Sequence, residues 1–244
     1  GGVADIINSY NPNIVAFQEI EDNNAFNSLI NNLNGGWVGY RSGGNSNYGE
    51  LAYAINTDVI NISSMYNILI EDEYYFGYRA PYVLEFSFQN IDYIIINNHF
   101  KCCGDGILDF YDTHDEEYRR LIASQLLQNH VENNYNLEKV IILGDLNDSI
   151  TDTESNNVFF GFIESENFHF ADYNIATGNT DNWSYPSWPS HLDHIIISSK
   201  LYDMFNNEAS SMETLLIDID FYNSWNEYDS IISDHRPIRL ILTD

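Results

Sequence analysis

Five small polar clusters stand at, or beside, the ends of apolar β-like runs, and they are spread from near the start of the chain to near its end. They are Gln18-Glu19, Asn98-His99, Gly144-Asp145-Leu146-Asn147, Leu192-Asp193-His194 and Ser233-Asp234-His235-Arg236-Pro237. A packed strand that ends in Asp, Asn, Glu or His delivers that side chain to the rim of its sheet. Five such ends point to one pocket lined by carboxylates, an amide and imidazoles. That donor set suits divalent-metal hydrolysis of a phosphate ester.

The runs themselves set the expected fold. Val3, Ile6, Ile7 and Tyr10 share one helical face, and Asn11-Pro12-Asn13 turns the chain after them. Ile14–Phe17 reads as a short apolar strand with Gln18-Glu19 at its end. Phe26, Leu29, Ile30 and Leu33 repeat at helical spacing up to the stop signal Asn34-Gly35. Trp37–Arg41 and Leu51–Ile55 read as strands around a Gly/Asn/Ser loop over residues 43–49. Tyr82–Phe88 and Ile91–Asn97 read as a hairpin joined at Gln89-Asn90. Tyr93–Ile96 is apolar on both faces and so belongs in the middle of a sheet. Thr113-His114-Asp115-Glu116 has the form of a capping box, and the helix after it is expected to bury Tyr118, Leu121, Ile122, Gln125, Leu126 and Val131. Val140–Leu143, Ile195–Ile197 and Ile238–Leu242 complete the strand set, and residues 149–190 are rich in loops. This pattern predicts an α/β (α+β) chain built as a four-layer sandwich, two packed sheets flanked by helices.

The length of 244 residues and the 44% apolar content fit one domain over residues 1–244 with a substantial core. The formal charge of −28 argues against a basic groove for broad nucleic-acid binding. It leaves a nuclease open, because bound cations reverse the sign of a site locally; an acidic surface that keeps the protein soluble in an extracellular setting explains it equally well. No apolar stretch approaches the ~20 residues that span a bilayer. The chain opens at Gly1-Gly2 without Met, which reads as an N-terminally truncated domain. The two cysteines are the neighbours Cys102 and Cys103, either a strained vicinal disulfide that stiffens the turn after His99 or two small thiols.

In their order and sequence these motifs resemble the endonuclease/exonuclease/phosphatase superfamily, the DNase I-like hydrolases. The matching pieces are Asn11–Glu19, Asn97–Phe100, Ile142–Asn147, Ser190–Ile195 and Ser233–Pro237. The resemblance implies two mostly antiparallel sheets. It also implies a first strand, ending in a metal-binding Asn, that would precede Gly1.

The resemblance implies roles for individual residues. Glu19 is the first choice as metal ligand, for Mg²⁺, Ca²⁺ or Mn²⁺; its bland alternative is an exposed strand-end carboxylate. Asp145 orients or deprotonates the attacking water, and Asn147 holds the water or the phosphate; the alternative for both is an Asx turn. Asp193 and His235 form a carboxylate–imidazole pair that sets the tautomer and raises the basicity of the ring, so that His235 donates to a phosphate oxygen. His99 is the second imidazole, a candidate acid for the leaving oxygen. Asp234 is a further metal or outer carboxylate. Arg79, in Tyr78-Arg79-Ala80-Pro81, resembles an Arg-x-Pro element that approaches phosphate, or else pairs with surface carboxylates. His191 and His194 read as structural or rim residues, and the aromatic segment Trp183–Pro189 as a substrate contact or a packed surface loop.

The expectation is therefore a magnesium-dependent phosphodiesterase, an extracellular or periplasmic endonuclease-type enzyme acting as a monomer on nucleic acid. A sphingomyelinase-type phospholipase C or a small-molecule phosphatase is the alternative among enzymes. A catalytically idle binding module is the alternative of another class.

Overall fold

The computed structural model describes residues 2–43, 49–135 and 138–244. Residues 44–48 of the expected loop lie outside the described residues. The strands are β1 (Ile14–Ile20), β2 (Trp37–Arg41), β3 (Glu50–Asn56), β4 (Ile60–Asn67), β5 (Tyr82–Phe88) and β6 (Ile91–His99). They continue with β7 (Val140–Asp145), β8 (Phe168–Phe170), β9 (Asp193–Ser198), β10 (Ser211–Thr214) and β11 (Ile238–Ile241). The helices that build the layers are α1 (Val3–Tyr10), α2 (Asn23–Asn31) and α3 (Glu116–Asn134).

One large sheet runs in the order β4-β5-β6-β7-β9-β8, with β6 and β7 parallel and the other neighbours antiparallel. Opposite it lie β1-β3-β2 and the pair β10-β11. The alternation along β6 shows how the layers are held. Ile94 and Ile96 join Ala123, Leu127 and Val131 of α3 in one core, while Tyr93 and Ile95 join Leu51, Tyr53 and Ile55 of β3 in the core between the sheets. On the far side, Ile7 of α1 packs with Leu33 and Ala54, beside Leu29 and Ile30 of α2. The result is the expected four-layer sandwich of helix, sheet, sheet and helix.

A buried amide joins the two sheets at one point. Asn97 of β6 is fully buried; its Nδ2 donates to the carbonyls of Phe17 in β1 (2.9 Å) and Ala52 in β3 (3.2 Å). Its Oδ1 accepts from Gln18 Nε2 at 2.7 Å. Tyr53 adds a second tie, donating from its buried hydroxyl to the carbonyls of Tyr82 and Ile95.

The structure corrects several expectations. The hairpin turn is Gln89-Asn90, both at positive φ (52° and 66°), as a tight two-residue connection requires, but β6 runs on to His99. β1 also continues to Ile20, so Glu19 sits inside the strand at a register shift and at φ 58°. The cap of α3 is Asp115, whose carboxylate accepts from Tyr118 N at 2.7 Å, and Thr113 is not the capping residue. The buried residues of α3 are Glu117, Arg119, Arg120, Ala123, Ser124, Leu127 and Val131, while Tyr118, Leu121, Ile122 and Leu126 are half-buried and Gln125 is exposed. The reason is that Arg120 and Glu117 carry their own partners into the interior, so polarity misreads the face. β4, β8 and β10 were not expected; β8 is a three-residue strand within the loop-rich 149–190 stretch.

Asn97→Ala strands two carbonyls and the Gln18 amide in a dry interface. We expect a loss of about 2 kcal/mol in urea unfolding, together with weaker catalysis, because Glu19 loses its fixed place opposite β6. Wild-type stability in this variant would show that the amide does not tie the sheets.

Candidate active site

Strand register assembles the first part of the site. In the large sheet His99 lies opposite Asp145, and Asp145 lies opposite Asp193. Three adjacent strands thus end in one row of imidazole, carboxylate and carboxylate. Gly144 makes the row possible. It has φ 135°, and a Cβ there would come within 1.9 Å of the Asn98 carbonyl. Beyond Asp145 the chain turns through Asn147 at φ 55°, with Asp145 Oδ1 accepting from Asn147 N at 3.0 Å. Asn147 Nδ2 in turn donates to the Phe100 carbonyl at 3.2 Å. The Asx turn and the candidate catalytic pair are thus the same structure.

His235 reaches the row from the other end of the chain. Its Nδ1 lies 2.7 Å from Asp193 Oδ2, and one ligand atom each of Asp145, Asp193 and His235 falls within 4.8 Å of the others. Neighbours outside the row fix this ring. Tyr228 donates to the His235 carbonyl (2.8 Å), and Arg236 makes a two-pronged pair with Asp218 (2.8 and 2.6 Å). Buried Ser184 receives Arg236 N on its carbonyl and the Asp193 N–H on its hydroxyl. The Tyr185 ring lies 4.8 Å from the His235 ring.

Charge is unevenly shared in this row. Burial works against the His235 cation, but the charge and hydrogen bond of Asp193 prevail and lift it to about 10. Burial likewise opposes the Asp193 carboxylate, and His235 overrides it, so Asp193 is lowered. Asp145 has no such partner: burial, then the Asp193 charge, pushes it up to about 7. Burial, then the Arg79 charge, lowers His99 to about 3, so it is neutral at neutral pH. A neutral ring is poorly suited to the expected role of proton-loaded acid and well suited to donating one hydrogen bond. Its Nδ1 is buried without a partner among the described residues, and its Nε2 lies 3.5 Å from Asp145 Oδ2.

Glu19 and Arg79 complete the neighbourhood. Glu19 is exposed, with Oε1 3.9 Å from His99 Nε2, and Gly49 packs against its Cα so closely that a Cβ would sit 2.6 Å away. Arg79 donates to the carbonyls of His99 (3.3 Å) and Phe100 (3.1 Å), and its charge is felt by both Glu19 and Asp145. It therefore supports the backbone beneath the site as well as facing it. Asp234 is exposed and lies outside the three-residue cluster, acting on His235 through space.

The sequence matches the model of the endonuclease/exonuclease/phosphatase family over residues 1–235. The chain belongs to that family. Solved structures share its fold at low identity. D. rerio TDP2 complexed with single-strand DNA product is 13% identical with a TM-score of 0.70, the match covering 98% of this chain and 89% of that one. The human Nocturnin catalytic domain with bound sulfate is 16% identical at TM-score 0.63, covering 97% and 84%. A Bacteroides thetaiotaomicron mannosyl-6-phosphatase is 16% identical at TM-score 0.65, covering 99% and 89%. A comparison with curated proteins gives no match.

As a member of the endonuclease/exonuclease/phosphatase family, the chain is a metal-dependent phosphoric ester hydrolase, and the residues present fit a divalent cation. The Glu19 carboxylate is free to solvent, and the Asp145 carboxylate is buried beside a like charge. Such hard oxygen donors suit a Mg²⁺-class ion that keeps several waters. Glu19 and Asp145 would hold it, and the ion would supply positive charge to a phosphoryl oxygen and a water.

Two supports of this family site were missed in the sequence. Asp172, fully buried, bonds His191 Nε2 (3.1 Å), His194 Nδ1 (2.7 Å) and Ile195 N (2.8 Å). His191 and His194 are therefore structural, as expected, but their partner follows a three-residue strand and gives no signal of its own. Arg120 ties Asp148 (2.7 Å) to the carbonyls of Lys101 and Cys103 (2.7 and 2.8 Å). Cys102 and Cys103 are thiols, half-buried and exposed, with their sulfurs 2.9 Å apart.

The raised Asp145 pKa has a consequence for stability. An unfolded Asp titrates near 3.9, so between about pH 4 and about pH 7 the folded, metal-free protein holds a proton that the unfolded chain has released. Stability of the metal-free protein therefore falls as pH rises through that window. Asp145→Asn should flatten this slope and raise the melting temperature at pH 8 by several degrees while abolishing hydrolysis. A variant that melts below wild type at pH 8 would contradict the assignment.

Proposed function

We propose that this chain is a divalent-cation-dependent phosphodiesterase that cleaves nucleic acid as a secreted nuclease, by in-line attack of water on the phosphate. The observation that carries the reading is the paired row His99–Asp145–Asp193 closed by a charged His235. Asp145 orients the attacking water and accepts its proton. The Asp193 carboxylate takes His235 Nδ1–H, which leaves Nε2–H for a phosphoryl oxygen whose charge grows toward the transition state. Neutral His99 donates one hydrogen bond from the opposite flank, and Asn147 and Arg79 hold the phosphate between them. A bound Mg²⁺ supplies Lewis-acid stabilisation.

Substrate form follows from charge and shape. A net charge of −28 repels a long duplex, so the favoured substrate is a short or single-stranded segment whose phosphate enters the site while a base rests on the aromatic segment beside it. Tyr185 against His235 and Trp188, 79% exposed, supply that platform. The neighbour solved with a single-strand DNA product agrees with this choice. The second reading is a small phosphate monoester, favoured by the same acidic surface and by the mannosyl-6-phosphatase neighbour. Among the described residues no helix is long and apolar enough to cross a membrane.

The deciding assay offers single-stranded oligonucleotide, plasmid, sphingomyelin vesicles, mannose 6-phosphate and bis-p-nitrophenyl phosphate with Mg²⁺. We expect the oligonucleotide to be cut fastest, with His235→Ala about 10³-fold slower and Trp188→Ala raising KM with little change in kcat. Turnover of mannose 6-phosphate without oligonucleotide cleavage would shift the assignment to the phosphatase reading.

A further inference from the structure

A second group of carboxylates lies away from this row, where the loop after β6 meets the start of α3. One oxygen each of Asp105, Asp115 and Glu117 lies within 4.8 Å of the other two. Exposed acids alone would mean little, but Glu117 is only 1% exposed, and its Oε2 is buried without any hydrogen-bond partner among the described residues. Its other oxygen is fully engaged: Gly106 N donates to Oε1 at 2.7 Å, and Arg120 Nη2 lies 3.1 Å from it. The backbone is wound tightly over this carboxylate. Gly104 has φ 107°, and a Cβ there would fall 2.5 Å from Oε2. Asp105 Oδ1 caps Ile107 N, and Asp115 Oδ1 caps Tyr118 N and faces Asp109 N, which leaves one oxygen of each acid uncommitted.

Charge does not balance here. Arg120 is shared with Asp148, so one guanidinium faces two buried acids before Asp105 and Asp115 are counted. A buried carboxylate oxygen with no donor is costly, and two further carboxylates beside it raise the cost. The donor set is all hard oxygen, which calcium accepts in flexible geometry with water completing its shell.

We propose that Asp105, Asp115 and Glu117 form a calcium-binding site distinct from the catalytic centre. Its place gives it a role. Arg120, paired with Glu117, also holds the carbonyls of Lys101 and Cys103, one step from Phe100, whose carbonyl receives Asn147 and Arg79. Calcium there fastens the loop that carries the catalytic rim to α3.

The test reads binding rather than turnover, so it stands apart from the assignment of substrate. Ca²⁺ is titrated calorimetrically into the metal-stripped protein, with Tb³⁺ luminescence as a second probe. Asp105→Asn changes an exposed residue, and Asp115→Asn retains a capping side chain, so both variants keep the fold, which circular dichroism checks. We expect one Ca²⁺ event to persist in Glu19→Gln and to weaken at least tenfold in both Asp105→Asn and Asp115→Asn. Absence of Ca²⁺ binding in Glu19→Gln, or wild-type affinity in the two loop variants, overturns the proposal; the first result would leave Glu117 Oε2 to a shared proton.

Discussion

Everything at the site depends on where the two sheets meet, and that is set by one buried amide. Asn97 spends both amide donors on backbone carbonyls of the smaller sheet, and its oxygen accepts from Gln18 across the same interface. Apolar packing between the sheets is strong but nearly indifferent to a slide of a few ångströms, because Ile and Leu faces repack at small cost. A dry amide is not indifferent, since any shift leaves a donor or acceptor unpaired. Two residues beyond Asn97 stands His99, and one residue beyond Gln18 stands Glu19. The bond between the two inner residues therefore fixes the distance between the two outer ones, 3.9 Å in the structure.

The same economy governs the chain's cations. There are nine Lys and Arg residues for thirty-seven acids. Arg119 clasps the Tyr74 carbonyl, Arg120 the carbonyls of Lys101 and Cys103, and Arg236 the Asp181 carbonyl. Arg79 does the same beneath His99. A planar guanidinium with five donors satisfies two or three backbone oxygens at once, which an ammonium on a flexible stem does poorly. Arginine serves here largely as an internal strut, and few cations are left for the acidic surface, Arg239 against Glu213 and Lys101 against Glu116 among them.

The parts of this architecture that show in the sequence are those where polarity and burial agree. Tyr93–Ile96 and Val140–Leu143 are apolar on both faces, so they read as central strands, and the polar residue that ends each run reads as a rim residue. His99, Asp145 and Asp193 were legible for that reason. The inner face of α3 was not, because Glu117 and Arg120 are charged and buried together, and a pattern of apolar residues selects the face with Leu121, Ile122 and Leu126 instead. Asp172 was hidden for a related reason: its meaning comes from His191 and His194, some twenty residues away, and nothing local marks it. Asp234 adjoins His235 but sits exposed at a bend outside the three-residue cluster, and it reaches the ring only through space.

Charge also limits how a substrate can be held. Beyond about 8 Å exposed charges are largely screened at physiological salt, so the acidic surface acts on a long polyanion all along its length but on a short one only near the site. Inside the row the balance is different. His235 is held as a cation by Asp193, Arg79 is half-buried behind His99, and a divalent cation held by Glu19 and Asp145 would add two further positive charges. The field is thus favourable over about the size of one phosphate group and unfavourable outside it. In the proposed reading, binding energy beyond that phosphate comes from uncharged contacts, for which the exposed Trp188 and the Tyr185 ring, 4.8 Å from the His235 ring, are placed.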